Sequence, residues 1–438
     1  MRDPQGRLRF EGDAAIREVL PGGLAGAFLN HPLAQELVRH GVLVPFEWQA
    51  AGRLVSPRLP LVSLPFEWCD AQFRAAAMLT LDVAGQALRE GFELKDASAW
   101  NVVFDGVRPM FCDHLSFEPI RSREWWAFGQ FCRHFLLPLA GARQRGLHAG
   151  ETFAAHRDGM TSERARALLG PRGLLSRVGP LLWCAGARAN ADAAGLHAST
   201  PKGGGARHAA LIQYGHWCLG RPPAEATGGA WAGYVGARPH YSETAAAQKR
   251  SRVGTWLAEL RPPVVLDLGA NTGEFSRLAL EHAQRVVAVD ADHDCIENLF
   301  RSAPQGRARL HPMVANLADL GGGRGWAGSE FAGLHERLAG QADVVMMLAL
   351  THHLRFAEGI PLEEIAALAA HWSRSHLILE LLHPDDPMVV QLATQRRQSP
   401  KSFTVDEQLR AFSRHFEPLG REALDGSRRE LVLMKRCP

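Results

Sequence analysis

The chain has 438 residues, 46% of them apolar, and a formal net charge of +3. That is enough apolar material for two or three buried cores, which excludes a disordered chain. The small basic excess is spread along the sequence, so nucleic-acid binding is not indicated.

The first twenty residues are charged and lack the apolar stretch of a signal peptide. No apolar run reaches the length of about 18 residues that a membrane span needs. The seven cysteines are scattered, odd in number and never spaced C-x-x-C. Reduced thiols and a cytoplasmic location fit that usage. Twenty histidines form no H-E-x-x-H or similar set, so no metal site is expected.

Residues 1–68 alternate short apolar runs with Pro and Gly, as in VLVPF and RLPLVSLPF, and predict short strands and loops. Asp70 reads as the cap of a helix whose apolar stripe is Phe73, Ala77, Leu81, Ala84 and Leu88, with Gly91 as its end. From Leu94 the chain reads LKDASAWNVVFDGVRPMFCDHLSFE. Val102–Phe104 and Pro109–Cys112 predict a hairpin around Asp105-Gly106, with Asp96 and Asn101 before it and Asp113 after it.

This stretch resembles the catalytic and metal-binding segments of protein kinases and small-molecule phosphotransferases. The resemblance implies a kinase-like α+β domain over residues 1–180. Asp96 would position an acceptor hydroxyl, and Asn101 and Asp113 would hold Mg²⁺. ATP binding or phosphotransfer in this half is therefore the alternative reading of function. The sequence departs from that pattern in three ways. Lys95 stands where His-Arg or His-Gly is expected, residues 1–94 contain no lysine, and no G-x-G-x-x-G loop precedes. Without a lysine for the ATP phosphates, the expectation is a degenerate domain with Asp96 and Asp113 close together in a cleft. A plain turn held by Asp and Asn is the competing reading.

Residues 122–182 predict helices with aromatic anchors, and Arg133 and His134 read as packing residues. Composition then shifts to Ala, Gly and polar residues, which predicts a helical or flexible linker over 181–240, with Ser199–His208 as a loop. Tyr241–Val253 predicts a helix leading into the third domain, 241–438.

The most informative stretch is VVLDLGANTGEFS, Val264 to Ser276. Its apolar start suits a strand buried on both faces of a parallel sheet. Gly269 and Gly273 bracket a turn, a helix follows, and Val286–Val289 returns as a strand ending in Asp290. This is half of a nucleotide-binding α/β fold. The spacing G-x-x-x-G lacks the third glycine of a dinucleotide site, and Asp267 and Glu274 flank the turn, where they would repel a pyrophosphate. They suit an ammonium and a sulfonium, while Asp290 suits two ribose hydroxyls. An adenosine with a cationic amino-acid tail and no phosphate is S-adenosylmethionine.

Further strands are predicted at Leu310–Ala315, Ala342–Leu350, His376–Leu382 and Glu430–Lys435, with helices at Asp292–Phe300, Pro361–Trp372 and Phe403–Phe416. Asp267, Asp290, Asn316, His352 and His353 all fall at or near strand ends. In an open α/β sheet those ends form the ligand edge. Asn316 is placed to accept from an adenine amino group. His352 or His353 is placed to act as base, or as hydrogen-bond partner, for a methyl acceptor, with one in the site and the other packed. Glu380 is the next candidate.

Residues 241–438 resemble a class I S-adenosylmethionine-dependent methyltransferase, with VLDLGANTGEFS, VVAVDAD and ADVVMMLALTHHL as landmarks in order. The whole chain, including PFEW, LKDASAWN and QFCRHFLLPLAG, resembles bacterial methyltransferases related to rhizobial nodulation proteins. The resemblance implies a Rossmann-like seven-strand sheet with an antiparallel final strand. It implies a cofactor site at Asp267, Gly269, Asn271, Gly273, Asp290 and Asn316. At 316 the family more often has Asp. A small-molecule methyl acceptor is expected; neither its identity nor the oligomeric state follows from the sequence.

Overall fold

The computed structural model describes residues 6–20, 25–49, 52–121, 124–183, 204–220, 242–303 and 309–438. They form two compact units, Met1–Glu225 and Ala226–Pro438. No helix among the described residues is long and apolar enough to cross a membrane.

In the first unit β1 (Gly6–Glu11) and β2 (Ala14–Val19) make a hairpin, and α1 (Ala25–Leu29) and α2 (Pro32–Arg39) follow. β3 (Glu47–Gln49) and β4 (Arg53–Pro57) complete an antiparallel sheet in the order β1-β2-β4-β3. α3 (Asp70–Arg89) buries Phe73, Ala77, Leu81 and Ala84, while Leu88 is only half-buried. Its N-cap is Cys69 rather than Asp70. The Asp70 carboxylate instead accepts from the backbone N–H of Ala149 at 2.8 Å and meets His148 Nδ1 at 2.9 Å.

β5 (Phe92–Leu94) pairs with β8 (Phe117–Pro119), and between them β6 (Val102–Asp105) and β7 (Arg108–Phe111) form the predicted hairpin. Then come α4 (Ala127–Phe131), a π-helical turn over Cys132–Leu136, α5 (Leu137–Arg145), α6 (Ala149–Ala155), α7 (Ser162–Leu174) and α8 (Gly179–Trp183). His134 is buried, its Nδ1 3.3 Å from the Ala99 backbone N–H, and packs rather than facing solvent.

α9 (Gly204–Leu219) falls within the stretch expected as a helical or flexible linker. Gly204 to His208 open a helix instead of continuing a loop; residues 199–203 lie outside the described residues. A β-carbon at Gly215 would touch Leu81 at 3.0 Å, so α9 sits tightly on α3 and belongs to the first unit. Glycines usually signal breaks, but here one permits close helix approach.

Asp96 and Asp113 lie close enough for the charge of Asp113, after burial, to hold the Asp96 carboxyl above the usual carboxylate range. Asn101 Nδ2 donates to the Asp96 carbonyl at 3.2 Å. The Asp113 carboxylate accepts from Arg17 at 2.5 Å, with both side chains largely buried. The acid assigned to Mg²⁺ by resemblance is thus already matched by a guanidinium. Among the described residues no group of three or more His, Cys, Asp and Glu is placed to hold a metal ion.

The second unit opens with α10 (Glu243–Leu260), capped by the Ser242 hydroxyl, which accepts from the Ala245 N–H at 3.0 Å. There follow β9 (Val264–Leu268), α11 (Glu274–Leu280), β10 (Arg285–Asp290), α12 (His293–Ser302), β11 (Leu310–Val314), α13 (Leu334–Arg337) and β12 (Ala342–Met347). Asp292 caps α12. α14 (Leu362–Trp372), β13 (Ser373–Leu382), α15 (Pro387–Gln395), α16 (Val405–Phe412), β14 (Phe416–Ala423) and β15 (Arg429–Arg436) end the chain.

The seven strands are ordered β11-β10-β9-β12-β13-β15-β14. β9 pairs in parallel with β10 and β12, which is why Val265 to Leu268 are all buried and the run reads as apolar. β15 runs antiparallel between β13 and β14. The helix expected to reach Phe416 stops at Phe412, because Phe416 starts β14. That edge strand is mostly exposed and its register shifts between Pro418 and Gly420, so it lacks the alternation that would reveal it.

Candidate cofactor site

Strand order reverses at β9. β10 and β11 build outward on one side, and β12 and β13 on the other. Chain leaving adjacent strands in opposite directions opens a crevice at their carboxyl ends. A cavity of about 380 Å³ lies there, within the usual range for small-ligand sites.

The glycine turn forms one wall. Gly269 has φ +71 and Gly273 φ +82, both left-handed, and a β-carbon on Gly273 would overlap Leu299. Asn271 between them is also left-handed, at φ 49. Its N–H donates to Asp290 Oδ2 at 2.7 Å, and the Asp292 N–H donates to Asp290 Oδ1 at 2.9 Å. Asp290 therefore holds the turn and also lines the cavity. Burial holds its carboxyl above the usual range despite those two donors.

Asp267, at the penultimate position of β9, is 2% exposed and accepts from the Ser276 hydroxyl at 2.6 Å. Burial pushes its carboxyl up to about 6, and the Ser276 bond opposes the rise. Asn316 lines the same cavity, but its side-chain oxygen already accepts from the Ala318 N–H at 2.9 Å. A second ligand bond would use the oxygen's other lone pair. All six residues expected at the cofactor site except Gly273 line the cavity; Gly273 shapes the turn from behind.

On the opposite wall the chain leaves β12 through Ala349, at φ 53, and enters a π-helical turn over His353–Ala357. Left-handed alanine and π turns are both uncommon and concentrate at functional sites. His352 and His353 both line the cavity, with ring centroids 4.2 Å apart, so neither is turned away as the expected one-in, one-out arrangement required. A helical turn rather than an extended exit brings consecutive side chains to one side. Burial pushes the His353 imidazole down to about 4, with the Arg429 charge adding. Glu380 does not line the cavity; it is fully buried and ion-paired to Lys249 and Arg429.

Lys249 was not singled out in the sequence, although it lines the cavity from α10. A signal existed: only five of the 49 basic residues are lysines, and this one stands beside arginines at 250 and 252.

No family model matches the chain. The nodulation protein NoeA of Rhizobium meliloti (strain 1021) is 28% identical, over 99% of this chain and 95% of that protein. Magnesium protoporphyrin IX methyltransferase from Synechocystis PCC 6803, solved with bound SAH, is 18% identical and covers 44% of this chain and 84% of its own, with a TM-score of 0.32. The N-methyltransferase NodS from Bradyrhizobium japonicum WM9 is 10% identical and covers 45% of this chain and 99% of its own, also at 0.32.

Proposed function

We propose that the second unit binds S-adenosylmethionine and that the chain is a methyltransferase acting on a small-molecule acceptor. The observation that carries the reading is the convergence of Asp267, the glycine turn, Asp290 and the two histidines on one cavity at the point where strand order reverses. The residues present fit the cofactor. A pyrophosphate would meet Asp267 and Glu274 at the turn, whereas a sulfonium and an ammonium would be stabilised there. Asp290 is spaced to accept from ribose hydroxyls.

The bound cofactor supplies a methyl group already activated by the sulfonium. The protein's part is alignment and exclusion of water. Leu348, Leu350 and Leu354 give the cavity an apolar side. An acceptor hydroxyl or amine that takes up the methyl group would give up a proton. His353, neutral at pH 7 because burial lowers its affinity for protons, is in the protonation state that a base for this proton needs. A phosphotransfer reading of the first unit has no comparable support, since Asp113 is ion-paired to Arg17.

Incubating the full chain with methyl-labelled S-adenosylmethionine and a host-cell metabolite extract should give one or a few labelled small molecules. Label appearing only in protein or RNA would overturn the acceptor class.

A further inference from the structure

Four carboxylates line the cavity: Asp267, Glu274, Asp290 and Glu358. Among the described lining residues, Lys249 is the sole lysine or arginine. It reaches the cavity from α10, and its ammonium lies 4.9 Å from the ring centre of Phe275. Phe275 and Glu274 open α11 directly after the glycine turn, so the ammonium stands beside the start of α11.

The ammonium is held in place from behind. Lys249 Nζ donates to Glu380 Oε2 at 2.6 Å, with side-chain exposures of 7% and 0%. Glu380 also meets Arg429 at 3.6 Å, and Arg429 Nε donates to Asp386 Oδ2 at 2.8 Å. Asp386 is fixed in turn by the N–H groups of Met388 and Val389. Two cations and two anions thus meet deep in the unit, and the charge of Glu274, which lines the cavity, also acts on Lys249. Burying such charges costs more than burying an apolar pair, so stability alone is a poor reason for a lysine at this wall. An ammonium has three N–H donors in different directions and can hold Glu380 and a ligand oxygen together.

We infer that Lys249 binds the α-carboxylate at the amino-acid end of S-adenosylmethionine, with Glu380 and Arg429 positioning its ammonium. The inference rests on the cofactor reading above and adds a selectivity that reading does not contain. In a cavity lined by four acids, an amino-acid carboxylate would be repelled unless one cation met it. Lys249 is that cation, and its compact ammonium leaves room that a guanidinium would fill.

The test is calorimetric titration of the full chain with S-adenosylmethionine and with its decarboxylated analogue, which keeps the sulfonium and the amine. The unmodified protein should bind the carboxylate form at least about tenfold more tightly, the gain expected from a charge-assisted bond. Lys249→Met should lower affinity for S-adenosylmethionine by about the same factor and leave the analogue's within about twofold. Equal affinity of the unmodified protein for both ligands would overturn the assignment while leaving the cofactor reading intact. So would an equal loss for both in the variant, because a merely structural lysine affects them alike. If Lys249→Met does not fold, the ratio in the unmodified protein decides. Binding of neither ligand would overturn the cofactor reading itself, and this inference with it.

Discussion

Asp290→Ala should weaken S-adenosylmethionine binding by about 10²-fold or more. Two ribose hydroxyls donating to one carboxylate contribute roughly 1.5–3 kcal/mol each, and 1.4 kcal/mol is about a factor of ten. The substitution also removes the acceptor for the Asn271 N–H, which holds a left-handed asparagine in the turn. Asp290→Asn keeps the shape and one acceptor oxygen, so its loss should be smaller. Calorimetry is the direct readout, and a melting curve checks that the unit remains folded. Unchanged affinity in the alanine variant would remove Asp290 from the site.

His353→Ala should lose roughly 10²-fold in turnover while cofactor affinity stays as it was, the loss expected when a general base is removed. His352, buried with its ring tilted against that of His353, is expected to orient it, so His352→Ala should cost less. The pH profile separates this role from an ordinary surface histidine. The folded-state pKa of His353 is lowered to about 4, so the ring is neutral at all higher pH and its limb should appear only near that value. Asp267 has the opposite sign. Its carboxyl is raised to about 6, so below that pH it is neutral and attracts a cationic ligand less. Cofactor affinity should therefore fall as pH drops through about 6, and Asp267→Asn should flatten that dependence. If both histidine variants keep full turnover on the true acceptor, the proton leaves by another route.

The parts of the site that were legible in the sequence are those made by short segments. β9 shows itself because burial on both faces demands a continuous apolar run. Gly269 and Gly273 show themselves because the turn needs left-handed backbone. Asp290 shows itself by its place at the end of the next strand. What was hidden depends on distant partners. Lys249 and Glu380 are 131 positions apart, and nothing in the local pattern of α10 or β13 announces their ion pair. The helical exit after β12, which brings His352 and His353 to the same cavity, leaves no local signal, and extended chain, in which consecutive residues alternate, is the default reading of a strand's end. β14 was missed because an edge strand with Pro418 and Gly420 needs no apolar face. The glycines at 204 and 205 read as loop because the helix they open packs on α3 and does not follow from propensity.

The most direct test of the account is calorimetric titration of the full chain with S-adenosylmethionine and, separately, with ATP and Mg²⁺. One S-adenosylmethionine site per chain is expected, with a Kd in roughly the micromolar range common for enzyme ligands, and no binding of ATP. Absence of S-adenosylmethionine binding, or saturable binding of ATP–Mg²⁺ in its place, would contradict it.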